Sequence, residues 1–207
     1  EEAIAVIYEG LQWLGLNWDE PVVRQTDRLD LYMKYVTRLL DSGMAYKCYC
    51  TPEEVEAMRQ AQLARKENPR YDGRCRTRTE FPPDQTYCIR FKVLDGPPVE
   101  FDDLVYGHIK VERSELDDLV LIKTDGNPSY NFANVVDDTE MGITHVIRGD
   151  DHVNNTPRQI LIYEALGLKP PTFAHLPMLL DEEKKKLSKR HGAANILTYR
   201  DSGMLPE

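Results

Sequence analysis

The sequence predicts an α/β protein in which a parallel sheet with covering helices is interrupted by an inserted α+β module. Three observations carry this reading. Beyond residue 118, apolar runs of strand length alternate with helical periodicity, and the first forty or so residues hold two amphipathic helical patterns. Between them lies a stretch rich in Pro, Gly, Asp and Arg, at whose start three of the four cysteines gather, between residues 48 and 75.

Ile4, Ile7, Leu11 and Leu14 repeat at helical spacing before Gly15, and Leu29, Tyr32, Met33, Val36, Leu39 and Leu40 do so before Gly43, giving two helices. Ala45 to Cys50 reads as a short strand. Thr51-Pro52-Glu53-Glu54 then offers an N-cap, a proline in the first turn and a capping-box glutamate, so a charged helix runs to about Lys66. Strand-like runs follow at Thr86 to Val93 and His108 to Glu112. Leu119 to Ile122 reads as a buried strand, Tyr130 to Val136 as helix, His145 to Ile147 as strand, Thr156 to Leu166 as a helix stopped by Gly167, and Phe173 to Leu180 as the third strand of the parallel sheet. In such sheets ligands bind beyond the carboxyl ends of the strands.

At 207 residues and 41% hydrophobic the chain can bury a substantial core. No run approaches the ~18 apolar residues that span a bilayer, and no basic, apolar signal segment opens the chain, so no membrane partner and a cytoplasmic location are expected. The net charge of -9 argues against indiscriminate nucleic-acid binding, although basic clusters at Arg59 to Arg78 and Lys184 to Arg190 can still contact RNA.

Lys186-Leu187-Ser188-Lys189-Arg190 follows the last strand in a polar loop. Lysines on such a loop can close over a triphosphate and neutralise charge on the transferring phosphates, although a basic run is more often plain solvated surface. Arg148 falls just past the end of a strand, where a guanidinium can clasp a carboxylate; a salt bridge to Asp150 or Asp151 is the alternative. Cys48, Cys50 and Cys75 could converge on one metal ion, zinc being the expected one, or remain free buried thiols.

The Lys186 to Arg190 run resembles the second signature of class I aminoacyl-tRNA synthetases. Together with His191-Gly192-Ala193, Tyr199-Arg200-Asp201, Tyr130 to Asp138 and Ile143 to His152, it makes essentially the whole chain similar to the bacterial glutamyl-tRNA synthetases. The resemblance implies a Rossmann-like nucleotide-binding core at 1–44 and 118–194, a zinc-containing module for the tRNA acceptor end at 45–117, and the start of a helical region at 195–207. It implies ATP with Mg²⁺, L-glutamate and tRNA(Glu) as substrates and partners of a monomer. Lys186, Ser188 and Lys189 are then the catalytic loop, with Lys189, Asp151 and His152 at the nucleotide and Tyr130, Asn134 and Arg148 at the glutamate. Related glutaminyl enzymes lack an arginine at the position of Arg148, which favours the charged amino acid. Some family members bind zinc through three cysteines and a tyrosine, here Cys48, Cys50, Cys75 and Tyr71; where others have a histidine after the third cysteine, this chain has Thr77.

Glu1 has no methionine before it, and no His-rich first signature of the class is found, so the chain is expected to be a fragment that begins beyond that signature, ends before the anticodon-reading region, and has little activity alone. Three rival readings share features with this one. A relative that glutamylates a tRNA base shares the core and the zinc module. A non-catalytic RNA-binding scaffold would keep only the fold, and a dehydrogenase would want a Gly-rich fingerprint that is not found.

Overall fold

The computed structural model describes residues 2–78, 80, 85–178 and 196–206. The helices are α1 (Glu2–Trp13), α2 (Leu29–Asp41), α3 (Pro52–Ala64), α4 (Tyr130–Glu140), α5 (Thr156–Leu166) and α6 (Ile196–Asp201). The strands are β1 (Ala45–Cys48), β2 (Cys88–Phe91), β3 (Val99–Asp103), β4 (Gly107–Val111), β5 (Val120–Ile122), β6 (His145–Gly149) and β7 (Thr172–Leu176). None of the described helices is long and apolar enough to cross a membrane. The chain divides into two compact units, one of residues 25–176 and one of 1–24 with 177–207.

In the larger unit the strands form two sheets, ordered β1-β2-β5 and β4-β3-β7-β6. Strand β7 runs parallel to both β6 and β3, so the fold is mixed α/β with parallel strands at its centre. The sequence expectation needs correcting at two strands. Val120–Ile122 does not join the parallel sheet but pairs antiparallel with β2, since a run of three apolar residues fits a buried position in either kind of sheet, and a connection bridged between Ile122 and Pro128 then leads into α4. Its central place is taken by β3, a strand not anticipated, since acidic residues are rare in strands and the buried Asp103 puts a carboxylate where an apolar residue is expected.

The helices form where expected and for the expected reasons. Thr51 caps α3 through a complete capping box, its side chain accepting from the Glu54 amide while Glu54 accepts from the Thr51 amide. Helix α5 has proline in its first turn and ends at Gly167, whose φ of 67° is left-handed backbone that glycine adopts without a Cβ clash. One core joins Val36 and Leu39 of α2, Phe132 and Val136 of α4, Leu161 and Ile162 of α5, and Leu121 of β5, all fully or almost fully buried. Each such side chain contributes about 1.5–3 kcal/mol on burial. Asp118, 1% exposed, stitches the smaller sheet to the segment before it: it accepts from Arg76, Tyr46 and the Val93 amide, and its own carbonyl accepts from Arg90.

In the smaller unit α1 packs on α6. A Cβ at Gly10 would sit 2.7 Å from Ile196 Cγ2, and Arg200 Nη1 donates to Glu9 Oε1 at 2.6 Å.

Candidate functional site

Strand β1 delivers Cys48 at its end and Cys50 just before the α3 cap, while the turn after Tyr71-Asp72-Gly73 brings Cys75 back beside them. The three Sγ atoms all lie within 4.8 Å of one another, with Cys50 and Cys75 3.7 Å apart. The Tyr71 hydroxyl oxygen stands 3.2 Å from Cys48 Sγ and 3.6 Å from Cys50 Sγ. A tetrahedral zinc with bonds of about 2.3 Å to sulfur holds its sulfurs about 3.8 Å apart, so this donor set fits zinc with little adjustment.

Cys88, directly opposite Cys48 on β2, stands outside that trio and packs in the apolar cluster with Met58. Its hydrogen bond is the chief reason the Cys48 thiol is pulled well below the usual thiol range, while burial pushes Cys50 up. The Arg90 guanidinium lies 4.0 Å over the Tyr71 ring, giving the thiols a buried positive neighbour.

Arg148 sits near the carboxyl end of β6, and its side chain is held on two of its three nitrogens. Nε donates to His175 Nε2 at 3.1 Å; Nη2 donates to Thr156 Oγ1 and Gln159 Oε1, both at 2.9 Å, and to the His152 carbonyl at 3.4 Å. Of the alternative salt bridge to Asp150 or Asp151, the Asp150 form is not found among the described residues; that carboxylate accepts from the Tyr106 hydroxyl at 2.8 Å. His175 is fully buried and its Nδ1 lies 2.6 Å from Asp103 Oδ2. Burial alone would raise the Asp103 carboxyl, but the Tyr106 amide, the His175 side chain and the Val105 amide outweigh it and take the group down to about 2.

Tyr130, the first residue of α4, is 49% exposed and stacks on the His152 ring at 5.2 Å, so it is not a packed core aromatic. Asn134 follows one turn later, half-buried on the same helix. Asp151 and His152 lie on the 3-10 turn after β6. Behind them Asp138 is raised to about 6, by burial first and by the Asp137 charge, against the pull of Arg148. Lys186, Ser188 and Lys189 lie outside the described residues.

The family profile for tRNA synthetases class I (E and Q), catalytic domain, matches residues 1–207. The chain belongs to this family. Over its whole length this synthetase domain is 54% identical to a glutamate–tRNA ligase of Trichlorobacter lovleyi and 56% identical to glutamate–tRNA ligase 1 of Alkalilimnicola ehrlichii, covering 44% of each. It thus spans less than half the length of the curated relatives it matches. The crystal structure of a glutamate tRNA ligase from Elizabethkingia meningosepticum in complex with its amino acid superposes with a TM-score of 0.82 at 36% identity, over 97% of this chain and 48% of that one.

Within the synthetase domain, sequence reasoning found Arg148 but missed what holds it: Asp103, Thr156, Gln159 and His175. The one available signal was the polar Asp102-Asp103 pair and the isolated His175 within otherwise strand-like runs.

Proposed function

We propose that the protein is a glutamate–tRNA ligase of the cytoplasm, acting as a monomer. The α-carboxylate of glutamate attacks the α-phosphate of ATP, displacing pyrophosphate and forming glutamyl-adenylate. The terminal hydroxyl of tRNA(Glu) then accepts the glutamyl group and AMP leaves. The observation that carries this reading is the identity of more than half of the residues, across the whole chain, with glutamate–tRNA ligases.

The residue roles rest on the site chemistry. Arg148 meets a substrate carboxylate, Tyr130 and Asn134 border the amino acid, and Asp151 and His152 border the nucleotide. Lys186, Ser188 and Lys189 serve the ATP phosphates, which Mg²⁺ accompanies. No side chain needs to form a covalent intermediate, because orientation and charge stabilisation carry this phosphate chemistry. We divide the chain into a Rossmann-like core (1–44 and 118–194), a module for the tRNA acceptor end (45–117) and the start of a helical region (195–207). Cys48, Cys50, Cys75 and Tyr71 would hold a structural zinc, which would tie the acceptor-end module together.

The test is ATP–pyrophosphate exchange with tRNA present, on the full-length protein the gene encodes, with glutamate and glutamine run in parallel. Exchange with glutamate alone is expected, and Arg148→Gln should lower kcat/KM for glutamate by roughly 30-fold or more, the loss expected when one partner of a buried charged pair is removed. Exchange with neither amino acid in a folded protein would sink the reading.

A further inference from the structure

Arg148 is held unusually completely for a residue on the rim of a site. A guanidinium carries five N–H donors, and the protein takes the single Nε–H and both Nη2 hydrogens. Among the described residues, Nη1 has no hydrogen-bond partner.

The acceptors are themselves held. The Asp103 carboxylate accepts from the amides of Val105 and Tyr106 at 3.0 Å each and sits 2.6 Å from His175 Nδ1. Since a carboxylate can only accept, His175 carries its proton on Nδ1 and turns the bare lone pair of Nε2 towards Arg148. The opposite tautomer would aim an N–H at an N–H. The Gln159 amide nitrogen donates to Asn131 Oδ1 at 3.2 Å, which points its carbonyl oxygen back at Nη2.

We infer that Asp103 and His175, with Thr156, are positioning residues that fix the Arg148 guanidinium so that it meets the substrate carboxylate through Nη1. Because the Nε/Nη2 edge is already taken by neutral acceptors, the bidentate fork usual for arginine and carboxylate is closed along that edge. Among the described residues no carboxylate forms an ion pair with this guanidinium, Asp138 acting on it only through space, so selection of an acid over its amide rests on its positive charge, at an orientation set by buried groups that never touch the substrate. The inference rests on the ligase reading above.

The experiment uses the full-length protein in glutamate-dependent ATP–pyrophosphate exchange. Asp103→Asn keeps the shape but can present an amide N–H to Nδ1, favouring the wrong tautomer, an effect known to be costly where a carboxylate sets a histidine's orientation. Its KM for glutamate should rise about 10-fold or more, its KM for ATP should stay within about twofold, and its preference for glutamate over glutamine should fall in step. Thr156→Val removes one Nη2 acceptor and the 3.2 Å contact of its hydroxyl with His175 Nε2, while leaving the Asp103–His175 bond itself in place, and should raise the glutamate KM about threefold with the same sparing of ATP. A merely structural network would lower thermal stability and leave the ratio of the two KM values unchanged. That result in either folded variant overturns the inference; if Asp103→Asn does not fold, Thr156→Val decides alone. Wild-type protein with no glutamate-dependent exchange would overturn the ligase reading itself, a separate and recognisable result.

Discussion

The cysteine cluster and the Arg148 clasp are two polar sites built on opposite plans. At the cluster, three thiols and a phenol crowd together, with the Cys50 and Cys75 sulfurs 3.7 Å apart and the Tyr71 oxygen 3.2 Å from Cys48 Sγ, all of them groups that bind a metal cation more strongly than they bind one another. At the clasp, each donor on Nε and Nη2 meets an acceptor and each acceptor is itself supported. The first arrangement calls for a cation to complete it. The second is satisfied along Nε and Nη2 by protein acceptors, and among the described residues Nη1 has no hydrogen-bond partner.

Removing metal is the strongest way to break this comparison. A structural zinc binds with on the order of 10 kcal/mol of apparent free energy in small modules. Chelation, or Cys75→Ser, should therefore abolish a stoichiometry of one zinc per chain and strip hydrogen-exchange protection from residues 45–50 and 71–76. Protection in β6 and α5 should persist. Equal loss in both regions would show that the two sites do not stand independently.

A smaller effect sharpens the other side. Asp138 is raised by burial from the ordinary 3.8 to about 6, with Asp137 adding and Arg148 opposing, and Tyr163 nearby. A carboxyl raised in the folded state is comfortable when protonated, so its favourable contribution is full below about pH 4 and is lost as the pH climbs through about 6. After allowance for solvent screening of this half-buried group, the difference is about 1 kcal/mol. Asp138→Asn should then be more stable than wild type at pH 7 and equal to it at pH 4, read as urea midpoints; no change between the two pH values would refute the assignment.

The mildest test touches the cap beside Cys50. Thr51→Ala removes the acceptor for the Glu54 amide and should cost about 1 kcal/mol of stability. Zinc affinity should shift little if the three thiols, and not the helix start, set the site.

The same contrast explains what could be read in advance. Cys48, Cys50 and Cys75 fall within one stretch of chain and belong to a residue type with few other reasons to gather, so the thiol cluster was legible in the sequence as a metal site or as free buried thiols, while Tyr71 entered only through the family resemblance. Helices α2, α3 and α5 were visible too, because capping and periodicity act within a few residues. The clasp was not: Asp103, Arg148, Thr156, Gln159 and His175 come from β3, β6, β7 and α5, and their meeting depends on a strand order that no local pattern encodes. The misplacement of Val120–Ile122 has the same origin, since three apolar residues look alike in a parallel and an antiparallel sheet.

The bond between Asp103 and His175 closes a loop of 72 positions in the chain. During synthesis, Arg148 would leave the ribosome before the strand that carries its support, so the clasp belongs to the late steps of folding, when long-range pairing repays the entropy of closing that loop. Until then a cation lies beside strand edges that are not yet matched. The thiols of Cys48, Cys50 and Cys75 lie within about thirty residues of chain and can meet much earlier, leaving the clasp around Arg148 as the later of the two to take shape.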